Sequence, residues 1–228
     1  MESVSAFLEN FDLTQLLDLL IQVVAALLCV SFHEMGHGYA AWLLGDSTAK
    51  TRGRVSMNPL RHIDPLGLLL LITAGFGWAK PVPVDMRHFR RPKLGMALTA
   101  LAGPVSNFLM GFVALAIASA LYHFALPQLM TTWLYYLFLL LIRVAILSVG
   151  LGIFNLIPIP PLDGSKVVFS LLPDHIYYTI LRYERYLMVL LFALVFLNLL
   201  DTPLSILLDG GLRGLCRLTG FPMDVIGL

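Results

Sequence analysis

The stretch of this 228-residue sequence that could do chemistry is His33-Glu34-Met35-Gly36-His37, which follows a long apolar run. On a helix, residues four apart share a face, so His33 and His37 can offer two imidazoles to one metal ion. Glu34 stands where its carboxylate can reach a water molecule at that metal without being a ligand. Zinc hydrolases use this arrangement, because zinc lowers the pKa of water and a carboxylate takes the proton.

The surroundings of this motif favour a functional site. Ionisable residues within a membrane-spanning helix are costly and are usually functional. Three of them within five residues, in the order that a zinc hydrolase needs, are hard to explain by packing alone. The alternative is a polar cluster at a helix–helix interface. At about 1.5 Å per residue, His33 would lie roughly 16 Å from the helix end near Leu44, which is inside the membrane.

A catalytic zinc site needs a third protein ligand, and the best candidate is Asp163. Asp163 closes the stretch Asn-Leu-Ile-Pro-Ile-Pro-Pro-Leu-Asp, whose three prolines interrupt a predicted membrane span. An acid in unwound backbone can turn toward a metal, whereas the alternative for Asp163 is an N-cap of a short helix near Ser165. We predict ligation, because the histidine pair needs a further donor. The other histidines fall in predicted loops or at the surface: His62, His88, His123 and His175.

The composition predicts a membrane protein. The chain is 58% hydrophobic and 13% charged, against about 25% charged in soluble domains, and its mean hydropathy is +0.84. We predict one all-α membrane-embedded domain over residues 1–228, with a core over 13–172 and a C-terminal span and tail over 173–228. The net charge of +1 gives no sign of a nucleic-acid partner. The hydrophobic composition makes membrane lipid the expected surrounding of the chain. Two cysteines in apolar surroundings, Cys29 and Cys216, are expected to be buried and unpaired.

Four helices are predicted to span the membrane and to position the motifs. The first runs from Leu13 to about Leu44, with Gly45 as its stop, and the others cover about 94–122, 133–154 and 186–200. Residues 65–79 are apolar but few, and they lie between two basic loops. Because positive loops favour the cytoplasmic side, we predict a re-entrant segment there and a metal site nearer the cytoplasm. Residues 203–216 either lie along the interface or dip back into the membrane.

A zinc hydrolase that cleaves a peptide would need this substrate in an extended form, and a strand edge can supply the hydrogen bonds that hold it. In Gly-Trp-Ala-Lys-Pro-Val-Pro-Val, residues 77–84, the two prolines place both missing N–H groups on one edge. Lys80, Val82 and Val84 can then bond along the other edge. We predict that residues 76–84 form a short membrane-associated β element bordering the cleft. The alternative is a polyproline-like loop.

Two asparagines are predicted to lie in or near the spans. Asn155 and Asn107 could each donate a hydrogen bond to the substrate carbonyl or to the oxyanion that forms from it. An interhelical hydrogen bond is the alternative for both. Arg143, a charge within a predicted span, is given no role.

The two motifs together, HEMGH in the first span and NLIPIPPLDG after a later one, resemble the paired signature of the site-2 protease family. These are intramembrane zinc metalloproteases. MNPLRHIDPLG, GWAKPVPV and LAGPVSN are also similar to a compact prokaryotic branch of the family, without a PDZ or CBS domain. The likeness covers about residues 13–172.

This resemblance implies that one Zn²⁺ is bound by His33, His37 and Asp163 and that Glu34 is the catalytic base. It also implies a transmembrane protein or peptide as substrate and a site reached from the cytoplasmic side. The implied location of the protein is the cell (inner) membrane of a prokaryote. The alternative from another class is a membrane metal transporter or metal-binding protein that uses the same ligands. A transporter needs a path through both faces, whereas the polar residues here cluster toward one, so we predict a zinc metalloendopeptidase.

Overall fold

A computed structural model describes residues 13–74, 80–129 and 133–228, and the regular elements within these ranges are helices. Single 3-10 turns lie at Pro59–Arg61, Met86–His88 and Met223–Ile226. In chain order the α-helices are α1 (Leu13–Leu43), α2 (Thr48–Thr51), α3 (Pro65–Ala74), α4 (Pro92–Leu129), α5 (Leu134–Asn155), α6 (Asp163–Phe169), α7 (Asp174–Phe196) and α8 (Asp201–Thr219).

Among the described residues, three helices are long and apolar enough to cross a membrane: Thr14–Leu43 of α1, Pro92–Ala125 of α4 and the whole of α5. The expectation of an integral membrane protein is therefore confirmed. The prediction of four spans is met among the described residues only if a bent pair of helices counts as the fourth. Tyr186–Phe196 and α8 meet at 83°, and they have the length and composition of a fourth span only when taken together. Asn198, with φ +56°, lies in the turn that joins them.

The first helix ends as predicted, because Gly45 takes a left-handed backbone with φ +109°. Its N–H donates to the carbonyl of Trp42, and the N–H of Asp46 donates to the carbonyl of Ala41. These two hydrogen bonds form a Schellman motif, which satisfies carbonyls that the helix end would leave open. The motif turns the chain back, so that Asp46 is completely buried.

The core lies where α1, α4 and α5 pack against one another, with α8 against α4 and α5. Small residues dominate at these contacts and let the helices approach closely. Both cysteines are buried and free, as expected. The core residues are Ala25, Cys29, Ala114, Leu115, Ala118, Phe138, Val144, Ala145, Cys216 and Phe221.

Two short predicted elements are described in part. The apolar helix α3 has 10 residues, which is about 15 Å and too short to cross the hydrocarbon layer; residues 75–79, the rest of the proposed re-entrant segment, lie outside the described residues. In the described part of the proposed β element, residues 80–84, the backbone forms no strand. Its hydrogen bonds go to loops and to a side chain of α1 instead of to a neighbouring strand.

Candidate metal centre

Helix α1 and the start of α6 bring three potential metal ligands together, as the sequence predicted. Nε2 of His33 lies 2.9 Å from Nε2 of His37. Each of these atoms lies 3.1 Å from Oδ2 of Asp163. Ligands of a tetrahedral zinc ion, at about 2.0–2.1 Å from the metal, lie roughly 3.3–3.4 Å from one another. The observed triangle is close to one face of such a tetrahedron.

The burial of this triangle also suits a cation. The side chains of His33, His37 and Asp163 are 7%, 12% and 9% exposed. Oδ2 of Asp163 is buried and accepts no hydrogen bond of good geometry among the described residues. A buried oxygen facing two ring nitrogens is costly unless a proton or a metal ion joins them. Two imidazoles and one carboxylate are a donor set of catalytic zinc sites, in which the fourth position stays open.

Asp163 reaches the histidines because the chain is unwound between α5 and α6. Pro158, Pro160 and Pro161 lack the N–H that would continue α5. Asp163 is the first residue of α6, and the N-cap position belongs to Leu162. The N-cap alternative for Asp163 is therefore wrong, and its carboxylate points to the two imidazoles. Gly164 is needed next to it, because a Cβ there would overlap the carbonyl of Leu156.

Glu34 lies beside the triangle and is half-buried. Its Oε2 accepts a hydrogen bond of 2.8 Å from the N–H of Val82. A cavity of about 520 Å³ opens on this side and is lined by Glu34, both histidines and Asp163. The arrangement places a carboxylate, three potential ligands and room for a peptide in one cleft.

Several residues of the cleft were not predicted. Lys166 has its Nζ 3.8 Å from Oδ1 of Asp163, and its position three residues after Asp163 on α6 was a signal that could have found it. Other cavity-lining residues lie on α4 and α7. They reach the cavity through packing between distant segments, for which a single sequence holds no signal. They are Met96, Thr99, Ala100, Leu181 and Glu184.

The proposed substrate-binding residues divide into two groups. Val82, Val84 and Asn155 line the cavity, and the amide of Asn155 donates to the carbonyl of Leu151 at 2.9 Å. Lys80 has an exposed side chain, and its N–H donates to the carbonyl of His62 at 2.9 Å. The N–H groups of Lys80 and Val82 are therefore engaged within the protein, unlike those of a free strand edge.

Asn107 does not lie where a substrate contact would place it. It is completely buried and its Nδ2 lies 3.2 Å from Nδ1 of His33, while Nδ1 of His37 lies 2.7 Å from the carbonyl of Thr99. A histidine that binds a metal through Nε2 carries its proton on Nδ1 and needs an acceptor there. Thr99 supplies one. If the Asn107 amide is turned by 180°, its Oδ1 becomes the acceptor for Nδ1 of His33. In the present orientation this Oδ1 has no hydrogen-bond partner among the described residues.

We expect Asn107→Leu to lower zinc affinity by about 10–100-fold, the usual effect of losing a partner of a metal-binding histidine. Asn107→Asp keeps an acceptor for the Nδ1 proton and should retain more of the affinity. Competition with a chelator of known affinity measures both variants. Wild-type zinc affinity in Asn107→Leu would show that Asn107 does not support a metal-binding histidine. The earlier interpretations, a contact between helices or with substrate, would then stand.

Comparison with known proteins gives an independent line of evidence. Residues 124–200, which include Asp163 but not His33 or His37, match the model of peptidase family M50. The Bacillus subtilis (strain 168) protein named "Putative zinc metalloprotease YwhC" is 37% identical over 185 residues, which is 80% of this chain and 81% of that protein. A Mycolicibacterium smegmatis protein named "Putative zinc metalloprotease Rip2" is 33% identical over 150 residues, which is 63% of this chain and 54% of that protein. No solved structure matches the chain.

The match to YwhC extends over most of both proteins. The metal-ligating geometry, the apolar helices and these relatives agree with one another. The chain belongs to peptidase family M50, the site-2 protease family of intramembrane zinc metalloproteases.

Proposed function

We propose that this protein hydrolyses peptide bonds in or near the membrane-spanning segments of other membrane proteins. In this proposal His33, His37 and Asp163 hold one Zn²⁺ and Glu34 is the general base. The observation that supports it is the convergence of three ligand atoms within 2.9–3.1 Å, beside a cavity that Glu34 lines.

The residues divide the chemistry among them. When bound, zinc polarises the substrate carbonyl and lowers the pKa of water to near 7. Glu34 takes a proton from the attacking water as its oxygen bonds to the carbonyl carbon. Glu34 then gives that proton to the amide nitrogen as the carbon–nitrogen bond breaks, which leaves a carboxylic acid and an amine. At neutral pH the proton of the new carboxylic acid passes to the amine, so the products are a carboxylate and an ammonium group.

The position of the centre suits a substrate that is itself in the membrane. His33 lies ten residues before the end of α1 at Leu43, which is about 15 Å along the helix. The loops beyond that end carry Lys50, Arg52, Arg54 and Arg61, the charge pattern of the cytoplasmic side. We therefore place the site nearer the cytoplasm, in the cell membrane of a prokaryote.

The cavity gives the substrate a path past the centre. Asn155 and Val84 line it, and we assign them contacts with the unwound substrate backbone. Lys80 lies in the same segment as Val84 and is exposed, so its side chain is available to polar groups of a substrate at the cleft entrance.

Removal of the third ligand tests the proposal. Asp163→Ala is expected to lose zinc and all cleavage of a model membrane substrate, because two imidazoles alone bind zinc weakly. The affinity should fall by more than the roughly 10–100-fold that loss of a ligand's partner costs. Zinc content, substrate cleavage and zinc flux are measured in the same proteoliposomes.

Asp174→Ala serves as the matched control, because the Asp174 side chain is 78% exposed and pairs only with Lys93 among the described residues. It should keep zinc and activity. Stoichiometric zinc and full cleavage in Asp163→Ala would overturn the assignment. Zinc flux without cleavage in the wild type would favour a transporter.

A further inference from the structure

Asp46 is a buried carboxylate that the metal centre does not use. It is 0% exposed and lies just past the end of α1. One oxygen accepts hydrogen bonds from the N–H and the hydroxyl of Thr48 and from Nδ1 of His88, and the other accepts the N–H of Asp85 at 2.7 Å. Burial raises the pKa of Asp46, but these hydrogen bonds outweigh it, so the pKa lies below its ordinary value. Asp46 is therefore a charged anchor for the chain at Asp85.

The other end of the same segment is also tied down. Nη2 of Arg54 donates to the carbonyls of Lys80 and Pro81 at 3.1 and 3.2 Å. The N–H of Lys80 donates to the carbonyl of His62, which is itself buried. Residues 80–85, the clamp segment, are thus held at both ends by the loop that follows α1.

Between these anchors the clamp segment donates a hydrogen bond to Glu34. Pro81 and Pro83 have no N–H group and restrict the backbone on either side of Val82. The N–H of Val82 donates to Oε2 of Glu34 at 2.8 Å. Its side chain packs close to Gly38, where a Cβ would lie 3.3 Å from Cγ1 of Val82. Gly38 is one helical turn after Glu34, so the segment lies directly over the face of α1 that carries the base.

We propose that Asp46 and Arg54 are positioning residues for catalysis, which act through the clamp segment to hold the Val82 N–H against Glu34. One oxygen of the Glu34 carboxylate is then fixed, and the other is left to take the proton from water. Holding a base in the reactive orientation is worth orders of magnitude in rate, since a displacement of about 1 Å can cost roughly 100-fold. This inference rests on the role of Glu34 in the proposed function.

Removing the single N–H tests the inference directly. Val82→Pro deletes the donor, whereas Val82→Ala keeps it and trims the side chain. We expect kcat of Val82→Pro to lie at least tenfold below that of Val82→Ala, with equal zinc content in both. Equal kcat values in the two variants would overturn the inference and leave the proposed function intact.

The role of Asp46 is tested by a double-mutant cycle on kcat. If Asp46 acts through Val82, Asp46→Asn should lower kcat in the wild-type background and have little further effect in Val82→Pro, because the shared contact is already lost. Zinc affinity should be unchanged throughout. Additive effects, or loss of zinc in Asp46→Asn, would show that Asp46 only supports the fold and would overturn its positioning role.

Discussion

Glu34→Gln is expected to retain one zinc per chain and to cleave a model membrane substrate at least about 10³-fold more slowly than the wild type, since positioned acid–base groups contribute roughly 10²–10⁴-fold. Glutamine has nearly the same shape as glutamate, and its carbonyl oxygen can still accept the N–H of Val82. It cannot take a proton from water at neutral pH. The change therefore removes the chemistry and leaves the geometry of the metal centre in place.

The measurement combines metal analysis with single-turnover cleavage in proteoliposomes. Glu184→Gln is the matched control, because Glu184 lines the same cavity from α7 and no hydrogen bond or ion pair joins it to the ligand triangle in the part of the chain that the structure describes. It should stay within about tenfold of the wild-type rate, as expected for loss of a carboxylate that does not transfer the proton. Normal cleavage by Glu34→Gln would refute the mechanism, even if zinc were present.

The convergence of the three candidate metal ligands could be predicted because local geometry determines much of their position. His33 and His37 share a face of any regular helix, and the prolines before Asp163 break a span by removing N–H donors. The end of α1 was predictable for the same reason, since Gly45 adopts a backbone that other residues avoid. In each case the residues near in sequence contain the physical cause.

The partners of these residues could not be predicted, because they come from segments far along the chain. Thr99 and Asn107 contact the histidines from 62 and 74 residues away. The same limit explains why the prediction of a β element failed over residues 80–84. Alternating prolines predicted a strand edge, but the hydrogen-bond partners of Lys80 and Val82 proved to be His62 and Glu34. No local pattern distinguishes those partners from a neighbouring strand.

The bent pair at the C-terminus shows a further limit. Apolar length predicted a span over 186–200, but α7 ends at Phe196 and α8 leaves at 83°. Asn198 tolerates the left-handed backbone of this turn better than most residues. A single asparagine is too common in helices and loops to mark such a bend from sequence.

Gly103→Ala should lower zinc affinity markedly, although it adds only one methyl group. Gly103 lies on α4 where that helix crosses α1 at the histidines. A Cβ at this position would lie 2.5 Å from Nε2 of His37 and 2.7 Å from Cε1 of His33. These distances are shorter than van der Waals contact, so either the imidazole rings or helix α4 must move by about 1 Å. A displacement of that size can cost roughly 100-fold, and we expect a loss of zinc affinity of this order.

The rings have no easy way to avoid the added methyl group. Turning either ring away breaks its contact with Thr99 or Asn107, and moving α4 outward opens the packed contact between α1 and α4. Gly150→Ala is the control, because a Cβ there meets only Leu208, at 3.9 Å. It should bind zinc as the wild type does. Chelator competition and thermal unfolding of both variants separate loss of the metal site from loss of the fold. Wild-type zinc affinity in Gly103→Ala would mean that the two histidines do not bind the metal through the atoms that face Gly103.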